Sequence, residues 1–150
     1  MAEYAYQHPE EIGQKVVVLG GGLVGVELAI HLAGLGREVT VAEMLPMLNN
    51  GGNILHQNAL DVEIKAKHIR LALGTRVVKI DESGVTGLRD GQEELFAADS
   101  VICAVGQTPL WEEADALRFC APEFYALGDC VSPRNIMQAT AMADAIARNI

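Results

Sequence analysis

The chain has 150 residues, half of them hydrophobic, a composition that suffices for one globular domain with a real core. Its formal net charge of −9, with no cluster of Lys or Arg, argues against nucleic acid and against an anionic membrane as partners. No apolar run approaches the roughly 20 residues that span a bilayer, and the first residues lack the features of a signal peptide, so a cytoplasmic location is expected.

The first third of the chain has the pattern of a βαβ unit. Residues 1–14 show little apolar periodicity and are predicted to form an arm or linker. The apolar run Lys15-Val-Val-Val-Leu predicts a strand, and apolar residues at helical spacing from Leu23 to Leu35 predict a helix. Glu38-Val-Thr-Val-Ala predicts a second strand. Such a crossover gives parallel strands with ligands at their carboxyl ends.

The middle of the chain predicts a second crossover and then an antiparallel meander. After the loop Asn49-Asn-Gly-Gly, apolar residues from Ile54 to Ile64 fit a helix that ends near Lys67, and Ile69-Arg-Leu-Ala fits a short strand. Residues 76–97 hold three short apolar segments separated by the turns Glu82-Ser-Gly and Asp90-Gly, which predict a meander. Ser100-Val-Ile-Cys-Ala-Val then predicts a buried strand.

The last third predicts a linker around Trp111, a strand Phe124-Tyr-Ala-Leu, the turn Gly128-Asp-Cys and a helix from Asn135 to Ile150. The predicted fold class is therefore α/β. It combines a Rossmann-type parallel sheet, a small antiparallel meander and a C-terminal strand and helix.

The glycines after the first strand have the spacing of a dinucleotide-binding turn, Gly20-Gly-Gly-Leu-Val-Gly. Gly20 permits the tight turn, Gly22 lets the backbone approach a pyrophosphate, and Gly25 lets the helix pack closely on the strand. The helix N-terminus then stabilises the phosphates through its free N–H groups. A similar turn in another α/β protein, such as a methyltransferase with a different adenosyl ligand, is the alternative.

Glu43 follows the second strand about 20 residues beyond the turn, where a carboxylate can accept both hydroxyls of an adenosine ribose. A 2′-phosphate would be repelled there, and no Arg or Lys occurs between Val39 and Asn58. These observations favour NAD(H) over NADP(H). Met44 and Met47 either cover the adenine or pack the loop.

The remaining polar candidates are read as structural. The three cysteines form no Cys-x-x-Cys pair, so neither a dithiol nor a zinc site is predicted; Cys103 is expected in the core, and Cys130 is left open. His31, His56 and His68 are expected to be solvated, and no metal site is predicted. No catalytic residue is predicted either.

The ordered set that begins with the glycine turn and Glu43 continues with Ala104-Val-Gly-Gln-Thr-Pro and Tyr125-Ala-Leu-Gly-Asp-Cys. It resembles the flavoproteins with two dinucleotide-binding domains, the class of NADH oxidases and pyridine nucleotide-disulfide reductases. Within that class the chain looks most like 2-enoate reductase and 2,4-dienoyl-CoA reductase, NADH:flavin oxidoreductases related to old yellow enzyme. In that family an FMN barrel with an iron–sulfur cluster precedes an FAD domain, into which an NAD(P)H domain is inserted.

This resemblance implies residue roles and domain bounds. Glu27 and Gly106 would lie toward the nicotinamide, and Gly128 and Asp129 would bind FAD. The residues implied in cofactor binding are Gly20, Gly21, Gly22, Leu23, Val24, Gly25, Glu27, Glu43, Gly106, Gly128 and Asp129. The implied domains are an arm (1–14), an NAD(H)-binding domain (15–109) and a linker with the C-terminal segment of the FAD-binding domain (110–150). For Asp129, a turn or N-cap role is the alternative.

The chain also departs from the family pattern. It has no second Gly-x-Gly-x-x-Gly for the FAD pyrophosphate, no barrel, and Ala143 where relatives are expected to have glycine. It is therefore expected to be an excised or truncated piece whose partners are the remaining FAD domain and the FMN barrel, with a homodimer possible. A nucleotide-binding or interaction module without turnover is the alternative function. A stand-alone dehydrogenase is disfavoured because Tyr125 has no Lys four residues on.

Overall fold

The computed structural model describes residues 2–48 and 54–150 of the chain. The predicted loop at residues 49–52 lies outside the described residues. The chain forms two compact units, Met1–Val105 and Gly106–Ile150.

The first unit contains a parallel sheet, three helices and an antiparallel meander. Its helices are α1 (Ala2–Gln7), α2 (Leu23–Gly34) and α3 (Ile54–Ala66). Its strands are β1 (Lys15–Leu19), β2 (Glu38–Ala42), β3 (Arg70–Ala72), β4 (Arg76–Asp81), β5 (Gly84–Arg89), β6 (Gln92–Ala97) and β7 (Ser100–Cys103). The parallel sheet has the order β3-β2-β1-β7, and β4-β5-β6 form the separate antiparallel sheet. The predicted α/β fold class is confirmed.

Strand β1 lies inside the parallel sheet and is buried on both faces. Val16 and Val18 belong to a core cluster with residues of α2 and α3. Val17 and Leu19 belong to a second cluster with Val85 and Phe96 of the meander. Alternate side chains of a strand point to opposite faces, so both faces require apolar residues. This explains the unbroken apolar run Val16–Leu19. The packing on both faces also holds in place the carboxyl end of β1, where the glycine turn begins.

Helix α1 occupies part of the segment that was predicted to be an arm. Ala5 is 2% exposed and joins the core cluster of β1, α2 and α3. Six residues make fewer than two helical turns, so the apolar periodicity of α1 is too short to be recognised in the sequence. The 3-10 turn Pro9–Glu11 follows it. Ligand atoms of His8, Glu10 and Glu11 lie within 4.8 Å of one another at this partly exposed turn.

The prediction that Cys103 lies in the core is wrong, because its side chain is exposed. Among the described residues, strand β7 has a neighbouring strand on one side only and is therefore an edge strand. Ile102 points into the core with 4% exposure, whereas Cys103 ends the strand uncovered. The apolar run predicts a buried strand, but strand order cannot be derived from such a run.

The turn between β4 and β5 is organised by the carboxylate of Asp81. Asp81 Oδ1 accepts from the Ser83 N–H at 2.9 Å and from the Ser83 hydroxyl, and Lys79 Nζ lies 2.6 Å from Oδ2. The hydrogen bond from Lys79 is the main reason that the pKa of Asp81 is lowered, and the Ser83 hydrogen bonds lower it further. The folded turn therefore favours the charged carboxylate.

We expect Asp81 to titrate below the ordinary pKa of an aspartate. A carboxyl group whose pKa is lowered in the folded state contributes stability above its unfolded pKa, and this contribution is lost as the pH falls through the folded value. The loss therefore begins below roughly pH 4 and is small, because the pair is exposed. NMR titration of the side-chain carboxyl carbon measures the midpoint. Lys79→Gln should raise it; an unchanged midpoint in that variant would contradict the assigned cause.

The second unit contains α4 (Trp111–Asp115), a 3-10 turn (Gly128–Cys130) and α5 (Ile136–Ala147). Helix α5 confirms the predicted C-terminal helix. The predicted strand Phe124–Leu127 is wrong: Leu127 has extended backbone, but this segment pairs with no strand among the described residues. A strand requires a hydrogen-bonded neighbour, which the local sequence does not supply.

Within residues 106–150, all of which the structure describes, Gly128 is the only buried residue. Large apolar side chains are exposed here, among them Phe119 at 92% and Ile136 at 83%. The second unit thus has no buried apolar core of its own. No helix in the described part of the chain is both long enough and apolar enough to cross a bilayer.

Candidate functional site

The glycine turn begins directly after β1 at the carboxyl end of the parallel sheet. Gly20 has φ +108°, and a Cβ placed on it would lie 2.5 Å from the Ala104 carbonyl oxygen. Its N–H donates to the Ala42 carbonyl at 2.9 Å, which ties the turn to the end of β2. Only glycine combines this dihedral angle with this approach to a neighbouring backbone.

Helix α2 packs closely on the turn that precedes it. A Cβ on Gly25 would lie 2.1 Å from the Gly20 carbonyl oxygen. Gly22 is the N-cap, with extended backbone and no side chain to bond the first amides. The N–H groups of Leu23 and Val24 in the first helical turn have no intrahelical acceptor. The geometry leaves amide donors and the positive end of the helix dipole at the carboxyl edge of the sheet, an arrangement that suits an anion.

Glu43 follows β2 and is brought against the glycine turn. Glu43 is only 9% exposed. The Gly21 N–H donates to Oε2 at 2.5 Å, and the Leu45 N–H donates to Oε1 at 2.8 Å. The Glu43 backbone is also fixed, because its N–H donates to Ala72 and its carbonyl accepts from Thr75. The carboxylate is therefore a buried acceptor in a defined position beside the turn.

Glu27 contacts helix α3, rather than the glycine turn or Glu43, in the described part of the chain. Glu27 is exposed on α2, and its Oε1 lies 3.6 Å from His56 Nε2 on α3. Gly106, the first residue of the second unit, has φ +118° and open space around its Cβ position. The sequence analysis expected both residues near a nicotinamide, and that role stays a prediction.

The expectation that His31 is solvated is wrong. Its ring lies 4.6 Å from the Tyr6 ring, and its Nε2 is buried without a hydrogen-bond partner among the described residues. The cause is α1, which covers this face of α2. His56 is half-buried against Glu27, whereas His68 is exposed as expected. Met44 and Met47 are 69% and 65% exposed beside Glu43.

The second unit has a cavity of about 300 Å³ at the start of α5. Its polar lining residues are Asp129, Ser132, Arg134, Asn135 and Gln138. The Arg134 N–H is 3.4 Å from Asp129 Oδ1, and Asn135 caps the helix by accepting from the Gln138 N–H at 3.0 Å.

Gln138 is a candidate that the sequence analysis missed. Its Oε1 is buried and has no hydrogen-bond partner among the described residues. A buried polar atom without a partner is costly, so its position needs an explanation. The spacing Asn135-x-x-Gln138 is that of a helix start, which could have indicated that Gln138 lies on the first turn of α5.

Comparisons with known proteins give consistent matches along the chain. A family model described as pyridine nucleotide-disulphide oxidoreductase matches residues 2–145. Cinnamate reductase of Clostridium sporogenes is 33% identical over an aligned length of 153 residues. The alignment covers 99% of this chain and 23% of that protein. The nitric oxide reductase FlRd-NAD(+) reductase of Vibrio vulnificus is 38% identical over 151 residues, covering 87% of this chain and 38% of that protein.

A solved structure of a 2-naphthoyl-CoA reductase complex with 2-naphthoyl-CoA superposes with a TM-score of 0.84 at 26% identity. The alignment covers 91% of this chain and 21% of that one. The chain thus spans between 21% and 38% of the length of these three proteins.

Proposed function

The chain belongs to the pyridine nucleotide-disulphide oxidoreductase family, and from this premise we propose that it is the NAD(H)-binding portion of an enoate reductase-like flavoprotein. The predicted family resemblance is confirmed by the family match and by the similarity to a cinnamate reductase. At the level of the family, binding of FAD and NAD(P) is implied. The finer proposal is that NADH delivers a hydride to FAD in the complete protein.

One observation carries this proposal: the glycine turn after β1 and Glu43 after β2 lie together at the carboxyl edge of one parallel sheet. Ligands of open α/β sheets bind at this edge. The turn offers backbone N–H donors for a pyrophosphate, and Glu43 offers a carboxylate for ribose hydroxyls. The residues thus fit the pyrophosphate and the ribose of an ADP moiety.

Each residue has a role in this proposal. The N–H groups of Gly22, Leu23 and Val24 bind the pyrophosphate, since the Gly21 N–H is already bonded to Glu43. Glu43 accepts hydrogen bonds from the ribose hydroxyls, and its charge repels a 2′-phosphate, so NADH is preferred to NADPH. When bound, the nicotinamide supplies the hydride and the flavin accepts it; the chain's residues bind and orient the nucleotide. Roles of Glu27 and Gly106 near the nicotinamide rest on the family resemblance.

The second unit fits part of a flavin site. We propose that Asp129 accepts a hydrogen bond from a hydroxyl of the ribityl chain in the cavity beside Gly128. Gln138 Oε1, which has no hydrogen-bond partner among the described residues, would face the same ligand. The chain has no second Gly-x-Gly-x-x-Gly for the FAD pyrophosphate. We therefore expect weak FAD binding, or none, by these 150 residues alone.

The missing core of the second unit supports the same proposal. Exposed side chains such as Phe119 and Ile136 need a covering surface to be stable in water. We propose that the remaining FAD domain provides it in a longer protein that also contains an FMN barrel. A homodimer that buries these side chains is an alternative way to cover them.

Calorimetric titration of the chain with NADH, NADPH and FAD tests the proposed function. We expect NADH to bind, NADPH to bind more weakly and FAD to give little heat. Absence of NADH binding would contradict the assignment, and a preference for NADPH would contradict the role of Glu43. A preparation that holds FAD tightly and is bleached by NADH would instead show that the flavin site is complete; a colourless chain that binds NADH fits a nucleotide-binding module without turnover.

A further inference from the structure

The carboxylate of Glu43 is bonded to the glycine turn itself. Gly20, Gly21 and Gly22 are consecutive, and glycine loses more backbone freedom on ordering than any other residue. Two bonds restrain this segment from the end of β2: Gly20 N–H to the Ala42 carbonyl at 2.9 Å, and Gly21 N–H to Glu43 Oε2 at 2.5 Å. The first bond extends the strand ladder, whereas the second depends on a side chain.

The surroundings of Glu43 keep its side chain in this position. The residue is 9% exposed, and its second oxygen is held by the Leu45 N–H at 2.8 Å. A Cβ on Gly21 would lie 3.0 Å from the Glu43 Cβ and Cγ and 2.8 Å from Leu48 Cδ2, so side-chain atoms pack directly on the turn. Charge-assisted bonds from backbone N–H groups to a buried carboxylate are strong. Glu43 is thus part of the turn's structure without any nucleotide.

We propose that Glu43 is a positioning residue for pyrophosphate binding, in addition to its role as a ribose acceptor. By accepting the Gly21 N–H, it holds the turn in the conformation that presents the next amides to the phosphates. A preformed turn binds an anion more tightly because its ordering is completed before binding. This inference rests on the proposed function, since it assumes that the pyrophosphate lies at the start of α2.

Two variants separate the reach of the side chain from its charge. Glu43→Asp keeps the negative charge but shortens the side chain by one C–C bond, roughly 1.5 Å, so the Gly21 N–H loses its acceptor. Glu43→Gln keeps the reach, and its amide oxygen can still accept from Gly21, but the charge is lost and the amide nitrogen cannot accept from the Leu45 N–H. Glu38→Asp, at the exposed start of β2, the strand that Glu43 follows, is the matched control.

The experiment measures amide hydrogen exchange in the nucleotide-free chain by ¹⁵N NMR. Binding of inorganic pyrophosphate and of NADH is then measured by ¹⁵N NMR titration. Inorganic pyrophosphate contains no ribose. If Glu43 only accepts hydrogen bonds from ribose hydroxyls, its substitution would not change the affinity of the chain for pyrophosphate. In Glu43→Asp we expect exchange of the Gly21 amide to rise about tenfold or more, and the Kd of pyrophosphate to rise about five- to tenfold. In Glu38→Asp, Gly21 protection and pyrophosphate binding should be kept, and in Glu43→Gln both should fall less than in Glu43→Asp.

Unchanged pyrophosphate affinity in Glu43→Asp, with weaker NADH binding, would overturn the positioning role and leave Glu43 as a ribose acceptor. Loss of pyrophosphate binding in Glu43→Gln to the same degree as in Glu43→Asp would show that charge rather than reach decides, and would also overturn it. If wild-type chain binds pyrophosphate but not NADH, the proposed function fails, and the comparison of Glu43→Asp with wild type still decides the positioning role. If Glu43→Asp does not fold, Glu43→Ala compared with Glu43→Gln decides, because both variants lack the charge and only glutamine keeps an acceptor for the Gly21 N–H.

Discussion

Gly25→Ala should destabilise the first unit and weaken NADH binding at least tenfold. The added Cβ would lie 2.1 Å from the Gly20 carbonyl oxygen and 3.3 Å from the Ala104 Cβ. A backbone oxygen in a fixed turn cannot move as the end of a side chain can, so α2 must shift away from β1. Overpacking of this kind costs about 1–3 kcal/mol. The shift also moves the amides that would bind the pyrophosphate, so affinity falls together with stability.

Thermal unfolding and NADH titration of Gly25→Ala measure the two effects. We expect the melting temperature to fall by roughly 5–10 °C. Gly34→Ala is the control in the same helix, because a Cβ there meets only the end of Lys67, at 3.6 Å from Nζ. It should keep full NADH affinity and unfold at the same or a slightly higher temperature, since alanine favours a helix. A Gly25→Ala chain as stable as wild type would contradict the contact between helix and turn.

The regular part of the first unit could be predicted because period and punctuation are local. The apolar run Val16–Leu19 reports a strand buried on both faces, and the turns Glu82-Ser-Gly and Asp90-Gly divide the meander as the structure has it. The glycine spacing predicted where α2 starts, since Gly22 is its N-cap. These features depend on residues close together in the sequence.

The wrong predictions concern properties that depend on distant residues. Cys103 is exposed because β7 is an edge strand, and strand order arises from the whole sheet. His31 is covered by α1, which a six-residue segment does not announce. In the part of the chain that the structure describes, Phe124–Leu127 has no partner strand, so this extended segment is not a strand.

The candidate site was predictable in its composition but not in its internal bonding. Spacing alone brings Glu43 to the carboxyl edge of the sheet near the glycine turn. The hydrogen bond from Gly21 depends on the rotamer of Glu43 and on its burial, and a spacing rule contains neither. For the same reason the unpartnered Oε1 of Gln138 could not be foreseen.

Glu43→Gln should reverse or abolish the preference for NADH. The neutral amide can accept one ribose hydroxyl, but it lacks the charge that strengthens this bond. Loss of a hydrogen bond to a charged group costs about 1.5–3 kcal/mol, so the Kd of NADH should rise about ten- to hundredfold. NADPH should bind better than it does to wild type, because the repulsion of its 2′-phosphate is removed.

The gain for NADPH should remain limited, because no Arg or Lys lies between Val39 and Asn58 to pair with the 2′-phosphate. The ratio of the two Kd values, measured by calorimetry for wild type, Glu43→Gln and the exposed control Glu38→Gln, reports how replacing the carboxylate changes the choice between the two nucleotides. Any general loss of folding would weaken both nucleotides equally and leave the ratio unchanged. Equal ratios in all three chains would therefore show that the buried carboxylate does not select between the two nucleotides.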